Sequence, residues 1–272
     1  MSRKTTDNIL AGKRILVTRP RHQAESFINL LLQEGAEPIA LPTIEIIPPD
    51  TWEPVDRAIA ALDQYGWIIF SSVNGVRYFC RHLRKVGHAI SELEQHLIIS
   101  VGPKTAGALA EEGLTSTMLP EEYQGEGILK ILEKTAVAGC RFLLPRAKVA
   151  REILPETLRS RGAIVDVVPV YQSIFPQSSA DRLDRLFADR EAIDMVTFTS
   201  SSTVTNLVSH CRQLPAFATI RQLPVACIGP ITADTAREAG LNVQVVAADY
   251  TVEGLIDAMK TWLNQSGTLL NC

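Results

Sequence analysis

Hydroxyl-rich loops, two of which begin with glycine, follow four short apolar runs of this chain, and their residues are well suited to hold a ligand. They are Ser71-Ser72-Val73-Asn74 after residues 67–70, Gly102-Pro103-Lys104-Thr105 after 97–101, Thr199-Ser200-Ser201 after 195–198, and Gly229-Pro230-Ile231-Thr232 after 225–228. Ser and Thr can cap the following helix, whose free N–H groups attract anions. Together the four loops favour a ligand with carboxylates or phosphates, while capping alone is the alternative for any one hydroxyl.

Two arginines follow two further apolar runs, Arg19 after residues 14–17 and Arg146 after 141–144. A guanidinium at such a place suits anion recognition through charge-assisted, sometimes bidentate, hydrogen bonds. Lys104, in one of the hydroxyl-rich loops, adds a third cation. The alternative for the arginines is a solvated surface position inherited from a common ancestor.

Standard catalytic signatures are missing from the sequence. It contains no phosphate-binding G-x-x-x-x-G-K-[ST], no complete dinucleotide fingerprint, no G-x-S-x-G elbow and no H-E-x-x-H. The cluster Cys80-Arg81-His82, with His88 and His96 beyond it, has an irregular spacing that disfavours a metal site. The residues alone therefore predict an anion-binding protein without a metal, nucleotide or flavin signal.

A tandem repeat organises the chain. With a shift of 127 residues, Arg19 meets Arg146, Glu25 meets Glu152, Gly102 meets Gly229, and Thr105 meets Thr232, as Tyr123 meets Tyr250. Repeats of this kind indicate duplication of one folding unit. Each copy alternates apolar runs with helix-period segments, which predicts about five strands per copy, including one at 115–119.

The predicted fold class is therefore α/β, with two doubly wound parallel-sheet lobes of the flavodoxin type and about five strands each. Prolines directly after the second strand of each copy, Pro42 and Pro169 among them, favour chain crossings there. We expect a discontinuous first lobe of residues 1–43 with 173–272, a second lobe of 44–172, and a two-stranded linker beside an interlobe cleft.

Tyr171 breaks the repeat at one of these crossings, where the first copy has Ile44. A residue that departs from the repeat beside a predicted cleft is a candidate for chemistry, and an aromatic plug in the hinge is the alternative. The repeated Tyr123 and Tyr250 are expected to pack.

Composition limits the classes of partner. The 27 Lys and Arg against 30 Asp and Glu give a net charge of -3, so no global positive field favours nucleic acid or an anionic membrane. The five cysteines are scattered, as in reduced thiols, and no membrane span or signal peptide is apparent, which predicts a cytoplasmic protein. Residues 1–10 are expected to form a loose tail.

The ordered motifs resemble those of uroporphyrinogen-III synthases. They are Val17-Thr18-Arg19-Pro20, Phe70-Ser71-Ser72, Val101-Gly102-Pro103-Lys104-Thr105-Ala106, Val168-Pro169-Val170-Tyr171, Phe198-Thr199-Ser200, Ile228-Gly229-Pro230-Ile231-Thr232-Ala233 and Tyr250-Thr251-Val252-Glu253-Gly254. The resemblance runs from about residue 12 to 262. It implies a lyase of porphyrin biosynthesis that uses no cofactor and no metal, and closes the linear tetrapyrrole hydroxymethylbilane with inversion of the last ring, via a spiro intermediate.

The resemblance also assigns roles by position. Tyr171 would assist loss of the substrate hydroxyl, and the remaining candidates would bind substrate carboxylates. The candidate substrate-binding residues are Arg19, Ser71, Ser72, Asn74, Gly102, Lys104, Thr105, Arg146, Ser200, Ser201, Gly229 and Thr232. Ile231 stands where relatives also have a hydroxyl. A monomer is expected, with transient contact to hydroxymethylbilane synthase, and without nucleic-acid or membrane partners.

A non-catalytic, two-lobed binding or regulatory module for an anionic small molecule is the alternative function. Exported sugar- or amino-acid-binding receptors share the two-lobed arrangement, and the absence of a signal peptide disfavours them. A nucleotide-dependent transferase is disfavoured because the chain lacks a phosphate loop.

Overall fold

The computed structural model describes residues 9–188 and 192–269, so most of the predicted N-terminal tail lies outside the described residues. The ten strands of these ranges are β1 Arg14–Val17, β2 Glu37–Ala40, β3 Glu45–Ile47, β4 Trp67–Phe70, β5 Leu97–Ser100, β6 Arg141–Ala147, β7 Ile164–Ile174, β8 Met195–Phe198, β9 Val225–Cys227 and β10 Val243–Val246. None of the described helices is long and apolar enough to cross a membrane.

Eleven α-helices accompany these strands in the described part of the chain. They are α1 Arg21–Gln33, α2 Glu53–Ala60, α3 Val73–Lys85, α4 Pro103–Glu111, α5 Gly125–Ile131, α6 Ile153–Ser160, α7 Gln177–Ala188, α8 Ser201–Cys211, α9 Ala216–Ile220, α10 Pro230–Glu238 and α11 Val252–Leu269. Short 3₁₀ segments cover Leu62–Gln64 and Ile90–Gln95.

The local sequence explains why these elements form. All four residues of β4 and all four of β8 are buried, as the uninterrupted apolar runs predict for strands covered on both faces. In α1 the buried side chains Ala24, Phe27 and Leu31 form one stripe at helical spacing. Gly35 takes a φ of 72° just after this helix, a conformation that suits glycine and ends the helix.

The chain forms two compact units: unit 1 comprises the described residues up to Glu45 and from Ile174 onward, and unit 2 is Ile46–Ser173. The sheet of unit 1 has the order β10-β9-β8-β1-β2, with each neighbouring pair parallel. Read from β2, this is the 2-1-3-4-5 order of flavodoxin-like folds. Leu16 and Val196 pack on one face of this sheet and Ile15 and Met195 on the other, so the unit has two core layers.

The sheet of unit 2 has the order β3-β7-β6-β4-β5, and β7, β6, β4 and β5 run parallel. Ile68 and Leu143 belong to the core on one face, while Ile69 and Leu144 belong to the core on the other. Two doubly wound, five-stranded lobes confirm the predicted fold class. Each sheet combines strands from both copies of the repeat; the lobe boundaries, linker and cleft named from the sequence stay predictions.

The fifth strand of unit 2 differs from the one predicted. Residues 115–119 form only an isolated bridge, between Met118 and Ile99, and the fifth position is taken by β3 at the opposite edge of the sheet. Ser116 explains part of this difference, because its hydroxyl hydrogen-bonds to Ser100 and to the Met118 carbonyl and so competes with a regular ladder. Neither β3 nor α2 was predicted, because the prolines around residues 48–54 interrupt the periodic pattern of apolar residues.

Candidate functional site

The candidate residues of unit 2 lie at one edge of its sheet. Strands β4, β5, β6 and β7 are parallel, so their carboxyl ends meet at the same edge. The structure brings to this edge Ser71, Ser72 and Asn74 after β4, Gly102, Lys104 and Thr105 after β5, Arg146 near the end of β6 and Tyr171 near the end of β7. The β6–β4 pair is also where the strand order reverses, the usual ligand position in such sheets.

Tyr171 and Ser72 form a hydrogen-bonded pair at this edge. Their hydroxyl oxygens are 3.0 Å apart, and the Ser72 oxygen also accepts the Gly75 N–H at 3.0 Å, which caps α3. Tyr171 is half-buried, and its ring lies 5.9 Å from that of Tyr78. The cap fixes Ser72, and Ser72 in turn fixes the phenol, so a proton donor is held in place at the end of β7.

Gly75 is required by close packing of α3 on β6. A Cβ at this position would lie 2.9 Å from the Pro145 carbonyl oxygen and 3.2 Å from the Ser72 hydroxyl oxygen. Any larger side chain would therefore push the start of α3 away from the strand and disturb the Ser72–Tyr171 pair.

Arg146 is buried and neutralised within unit 2. Its side chain is 8% exposed; one terminal nitrogen donates to the Arg151 carbonyl at 2.8 Å and the other contacts the Glu152 carboxylate. The Nε atom is buried and has no hydrogen-bond partner in the described part of the chain. Because a buried arginine keeps its charge, the Nε–H is an unused donor at the ligand edge of the sheet.

A small cavity of about 110 Å³ lies beside this arginine, with Ser71, Arg146 and Arg151 contributing its polar lining. Ligand pockets for whole organic molecules are usually about 300–1,000 Å³. This cavity is therefore sized for one carboxylate-bearing side chain of a larger molecule.

The other loop of unit 2 holds residues of different exposure. Thr105 is buried in the first turn of α4, whereas Lys104 is exposed. Neither side chain makes a hydrogen bond or ion pair within the described ranges, 9–188 and 192–269. Asn74 is half-buried in the first turn of α3.

The carboxyl-end edge of the unit 1 sheet carries the remaining candidates. Arg19 follows β1, Ser200 and Ser201 follow β8, and Gly229 and Thr232 follow β9. The ends of β1 and β8, where the strand order reverses, are joined by buried threonines: Thr18 donates to the Thr197 carbonyl at 2.7 Å.

Arg19 differs from its repeat partner Arg146 in having no counterion within residues 9–188 and 192–269. Its Nε is buried and has no hydrogen-bond partner among the residues that the structure describes, and desolvation by burial lowers the pKa of its guanidinium from the ordinary value. The side chain as a whole is half-buried, and Glu25, the counterpart of Glu152, is exposed. No ion pair to Arg19 occurs among the residues that the structure describes. A half-desolvated cation without a carboxylate partner favours an external anion.

The serines of unit 1 cap and brace two helices. Ser200 caps α8 by accepting the Thr203 N–H at 3.3 Å. Ser201 accepts from the Thr235 hydroxyl at 2.8 Å and donates to the Ile231 carbonyl at 3.3 Å, tying α8 to the start of α10. Ser201 is thus engaged within the protein, and the neighbouring Ile231 is 79% exposed.

Thr232 repeats the environment of Thr105. It is buried in the first turn of α10, and its hydroxyl has no hydrogen-bond partner in the described part of the chain. Two equivalent threonines that both lack a partner indicate donors kept available at the two sheet edges.

Tyr123 and Tyr250 were expected to pack, and that expectation is only partly right. Each ring lies against the glycine of its own unit, since a Cβ at Gly102 would be 3.2 Å from Tyr123 Cγ and one at Gly229 would be 3.1 Å from Tyr250 Cδ1. Nevertheless the two residues are 59% and 66% exposed.

The sequence placed the candidate residues at strand ends, but it did not predict which side chains they contact. The Ser72–Tyr171 hydrogen bond joins residues 99 positions apart, and no local pattern encodes such a pairing. For Arg146 a signal existed: Glu152 and Glu25 match in the repeat, which marks the carboxylate as part of the ancestral unit.

Comparison with known families gives a match over most of the chain. The family described as "Uroporphyrinogen-III synthase HemD" matches residues 25–257. This range includes every candidate residue except Arg19.

Curated relatives point to the same family. A uroporphyrinogen-III synthase of Synechococcus elongatus is 37% identical over 262 residues, which cover 94% of this chain and 98% of that protein. A porphyrin biosynthesis protein HemD of Ruminiclostridium josui is 31% identical over 250 residues, covering 92% of this chain and 48% of that protein.

A solved structure agrees in fold. A mutant uroporphyrinogen III synthase of the extremely thermophilic bacterium Thermus thermophilus superposes with a TM-score of 0.66 and 19% identity, covering 93% of this chain and all of that one. The resemblance noted in the sequence motifs is confirmed by the family match and by the Synechococcus relative. The chain belongs to the uroporphyrinogen-III synthase family.

Proposed function

We propose that this chain is a cyclising lyase that converts hydroxymethylbilane to uroporphyrinogen III, with inversion of the last ring and loss of water, in porphyrin biosynthesis. Family membership over residues 25–257 is the observation that carries the proposal. Relatives described as synthases support catalysis over the alternative of a non-catalytic binding or regulatory module.

The reaction conserves oxidation state, so it needs no electron donor or acceptor. The C–O bond of the terminal hydroxymethyl group breaks with help from its pyrrole nitrogen, and the hydroxyl leaves as water after gaining one proton. The resulting azafulvene is attacked by the substituted carbon of the last ring, giving a spiro intermediate. This intermediate fragments and recloses with the ring inverted, and loss of one proton restores the aromatic pyrrole.

We assign the proton for the leaving hydroxyl to Tyr171. The phenol is held 3.0 Å from the Ser72 hydroxyl, which is itself fixed as the cap of α3. A neutral phenol positioned in this way can act as a general acid or orient the departing water. The Ser72 hydroxyl would donate to the phenolate through the same hydrogen bond, and the proton released when the last ring recloses would restore the phenol.

The substrate carboxylates are assigned to the two sheet edges. In unit 2 the cavity beside Ser71 and Arg146 would take one carboxylate side chain, with Asn74, Lys104 and Thr105 and the Gly102 backbone holding others. In unit 1 Arg19, which lacks a counterion among the described residues, would take another, and Thr232, the Gly229 backbone and Ser200 would complete that edge, with Ser201 bracing α8 against the start of α10. Several neutral donors with few cations suit a chain whose net charge is -3.

Orientation is the main catalytic contribution in this scheme. The bilane can close unaided to the uninverted isomer, so the protein must hold the last ring where its substituted carbon reaches the azafulvene. Holding reactants in one geometry can contribute several kcal/mol to a barrier. Modest acid–base groups suffice once that geometry is fixed.

The wider setting follows from the same proposal. The two compact units would serve as the two lobes of a hinged, monomeric, cytoplasmic enzyme, with the boundaries 1–43 with 173–272 and 44–172. Transient contact with hydroxymethylbilane synthase would deliver a substrate that otherwise cyclises in solution.

A coupled assay with freshly generated hydroxymethylbilane tests the function. We expect isomer III to accumulate in proportion to the amount of this protein, while a reaction without it gives isomer I. Formation of isomer I alone, at the spontaneous rate, would refute the proposed activity.

A further inference from the structure

Two solvent-facing aromatic rings stand at the ligand edges of the sheets, one in each unit. Tyr123 lies over Gly102 after β5, and Tyr250 lies over Gly229 after β9, each with most of its surface exposed. Exposed tyrosines are common singly, but these two occupy equivalent positions in both copies of the repeat. Each ring contacts a glycine on one side and is mostly exposed to solvent, so a flat ligand can stack on its exposed face.

The backbone holds both rings in place. A Cβ at Gly127 would collide with the Glu122 carbonyl oxygen, and a Cβ at Gly254 would collide with the Asp249 carbonyl oxygen. Glu122 and Asp249 directly precede the two tyrosines, so each turn closes only because glycine follows. The same glycine–tyrosine–glycine arrangement therefore positions an aromatic ring twice, although the copies differ elsewhere at these edges.

The surroundings of each ring suit a pyrrole that carries carboxylates. Thr105 lies three residues after Gly102, and Thr232 lies three residues after Gly229, each in the first turn of the following helix. Exposed Lys104 is two residues after Gly102, and exposed Ile231 is two residues after Gly229. A flat apolar ring beside polar donors matches a pyrrole with acetate and propionate substituents.

From these observations we infer that Tyr123 and Tyr250 are stacking platforms, each of which binds one pyrrole ring of the tetrapyrrole within its own unit. This inference rests on the proposed function for the identity of the ligand. Aromatic stacking is tolerant of ring substitution, because it depends on the π-face and not on hydrogen bonds. The platforms would therefore position rings, while the threonines and cations select the carboxylates.

The test measures binding of the product separately from turnover. Uroporphyrinogen III, prepared by reduction and kept anaerobic in the dark, is equilibrated by dialysis against the full chain and quantified after oxidation to the porphyrin. For Tyr250→Ala and Tyr123→Ala we expect the Kd to rise by about ten-fold each, the size of a lost aromatic stack. Tyr250→Phe and Tyr123→Phe keep the ring and should bind like the wild type.

Matched controls remove exposed apolar side chains away from the ligand edges. Leu32 in unit 1 is 54% exposed near the end of α1, and Ile164 in unit 2 is 53% exposed at the start of β7. Leu32→Ala and Ile164→Ala should leave the Kd unchanged. A Kd for the Tyr→Ala variants equal to that of these controls would overturn the inference.

A second pair of variants separates stacking from simple covering of the glycines. Tyr250→Leu and Tyr123→Leu keep an apolar cover, so the thermal unfolding midpoint should stay close to that of the wild type while the Kd rises as in the Ala variants. If the Leu variants bind like the wild type, or if the Phe variants bind as weakly as the Ala variants, the rings are not platforms.

The two proposals fail independently. A wild-type chain that binds uroporphyrinogen III through the tyrosines but yields only isomer I overturns the proposed activity and keeps the platforms. A chain that forms isomer III with a Kd that does not depend on either ring does the reverse. A wild-type chain without measurable affinity for uroporphyrinogen III overturns the platforms.

Discussion

Replacing Tyr171 by Phe removes one hydroxyl from the candidate active site and keeps the ring. The phenol makes one neutral hydrogen bond, to Ser72 at 3.0 Å, so the loss to folding stability should be about 1 kcal/mol. If the same hydroxyl protonates the leaving group, turnover should fall by roughly ten-fold or more, because general acids usually contribute at least that much. A loss of stability lowers turnover only by unfolding part of the protein. If the variant is folded and its turnover still falls by this much, the hydroxyl is catalytic.

A control for this substitution lies beside it. Tyr78 is 5.9 Å from Tyr171, ring to ring, and its hydroxyl donates one hydrogen bond, to the Ile46 carbonyl at 3.0 Å. Tyr78→Phe therefore removes the same group with a similar loss of stability, about 1 kcal/mol. Its turnover and its ratio of isomer III to isomer I should remain those of the wild type.

A double-mutant cycle then asks whether Ser72 acts through Tyr171. Ser72→Ala removes the cap of α3 and costs about 1 kcal/mol of stability. It should also slow turnover, because the phenol loses its fixed partner. The double variant should turn over no more slowly than Tyr171→Phe alone, since a positioning residue has no effect once the group it positions is gone.

The assay uses freshly generated hydroxymethylbilane, with initial rates at saturating substrate and chromatographic scoring of both isomers. Circular dichroism on each variant verifies that it is folded. If Tyr171→Phe forms isomer III at the wild-type rate, the phenol is not the general acid. If the rate losses of Ser72→Ala and Tyr171→Phe multiply in the double variant, the two hydroxyls act separately.

Three further predictions concern the remaining groups. Thr232→Ala should raise KM with little change in kcat, because its partnerless hydroxyl is assigned to binding; an unchanged KM and isomer ratio for both it and Thr105→Ala would show the edge assignment to be wrong. Glu152→Gln should lower the free energy of unfolding, measured by urea titration, by about 1–3 kcal/mol, because buried Arg146 loses its counterion. The matched control, Glu25→Gln in the other copy of the repeat, should leave the free energy of unfolding unchanged. Equal losses in the two variants would show that Glu152 does not stabilise Arg146. Burial raises the pKa of the Cys80, Cys211 and Cys227 thiols to about 12, so these thiols stay protonated until the pH nears that value. Alkylation of the folded protein at pH 8, monitored by mass spectrometry, should therefore modify half-exposed Cys140 and spare the three buried thiols. Modification of the buried thiols at the rate of Cys140 would contradict this prediction.

Much of the fold was predictable because strand burial and repeat spacing are local or periodic signals. The apolar runs at 67–70 and 195–198 are fully buried strands with those bounds. The strand predicted at 115–119 failed because the Ser116 hydroxyl replaces ladder hydrogen bonds, and an apolar pattern does not register that competition. Strand β3 was missed because a three-residue edge strand among prolines has almost no periodicity of its own.

For the site, the repeat and the apolar runs predicted positions at strand ends but not the state of each group. Arg19 and Arg146 look equivalent in the repeat, yet one is neutralised by Glu152 and the other lacks a partner among the described residues. Likewise Ser201 and Thr232 look alike as loop hydroxyls, although the first is engaged with neighbouring groups of α10. Such distinctions depend on side-chain contacts across the fold, which neither spacing nor composition encodes.

The chain order within unit 1 has a consequence for synthesis. Central strand β1 pairs with β8, and Arg14 and Asp194, which hydrogen-bond at this junction, are 180 residues apart. At a translation rate of about 5–20 residues per second, roughly 10–40 s pass between the synthesis of β1 and the synthesis of β8. Unit 2 is continuous from Ile46 to Ser173 and can fold during that interval. We therefore expect unit 2 to form first on the ribosome, leaving the β1–α1–β2 segment of copy one as the part that chaperones must shield until residues 195–246 emerge.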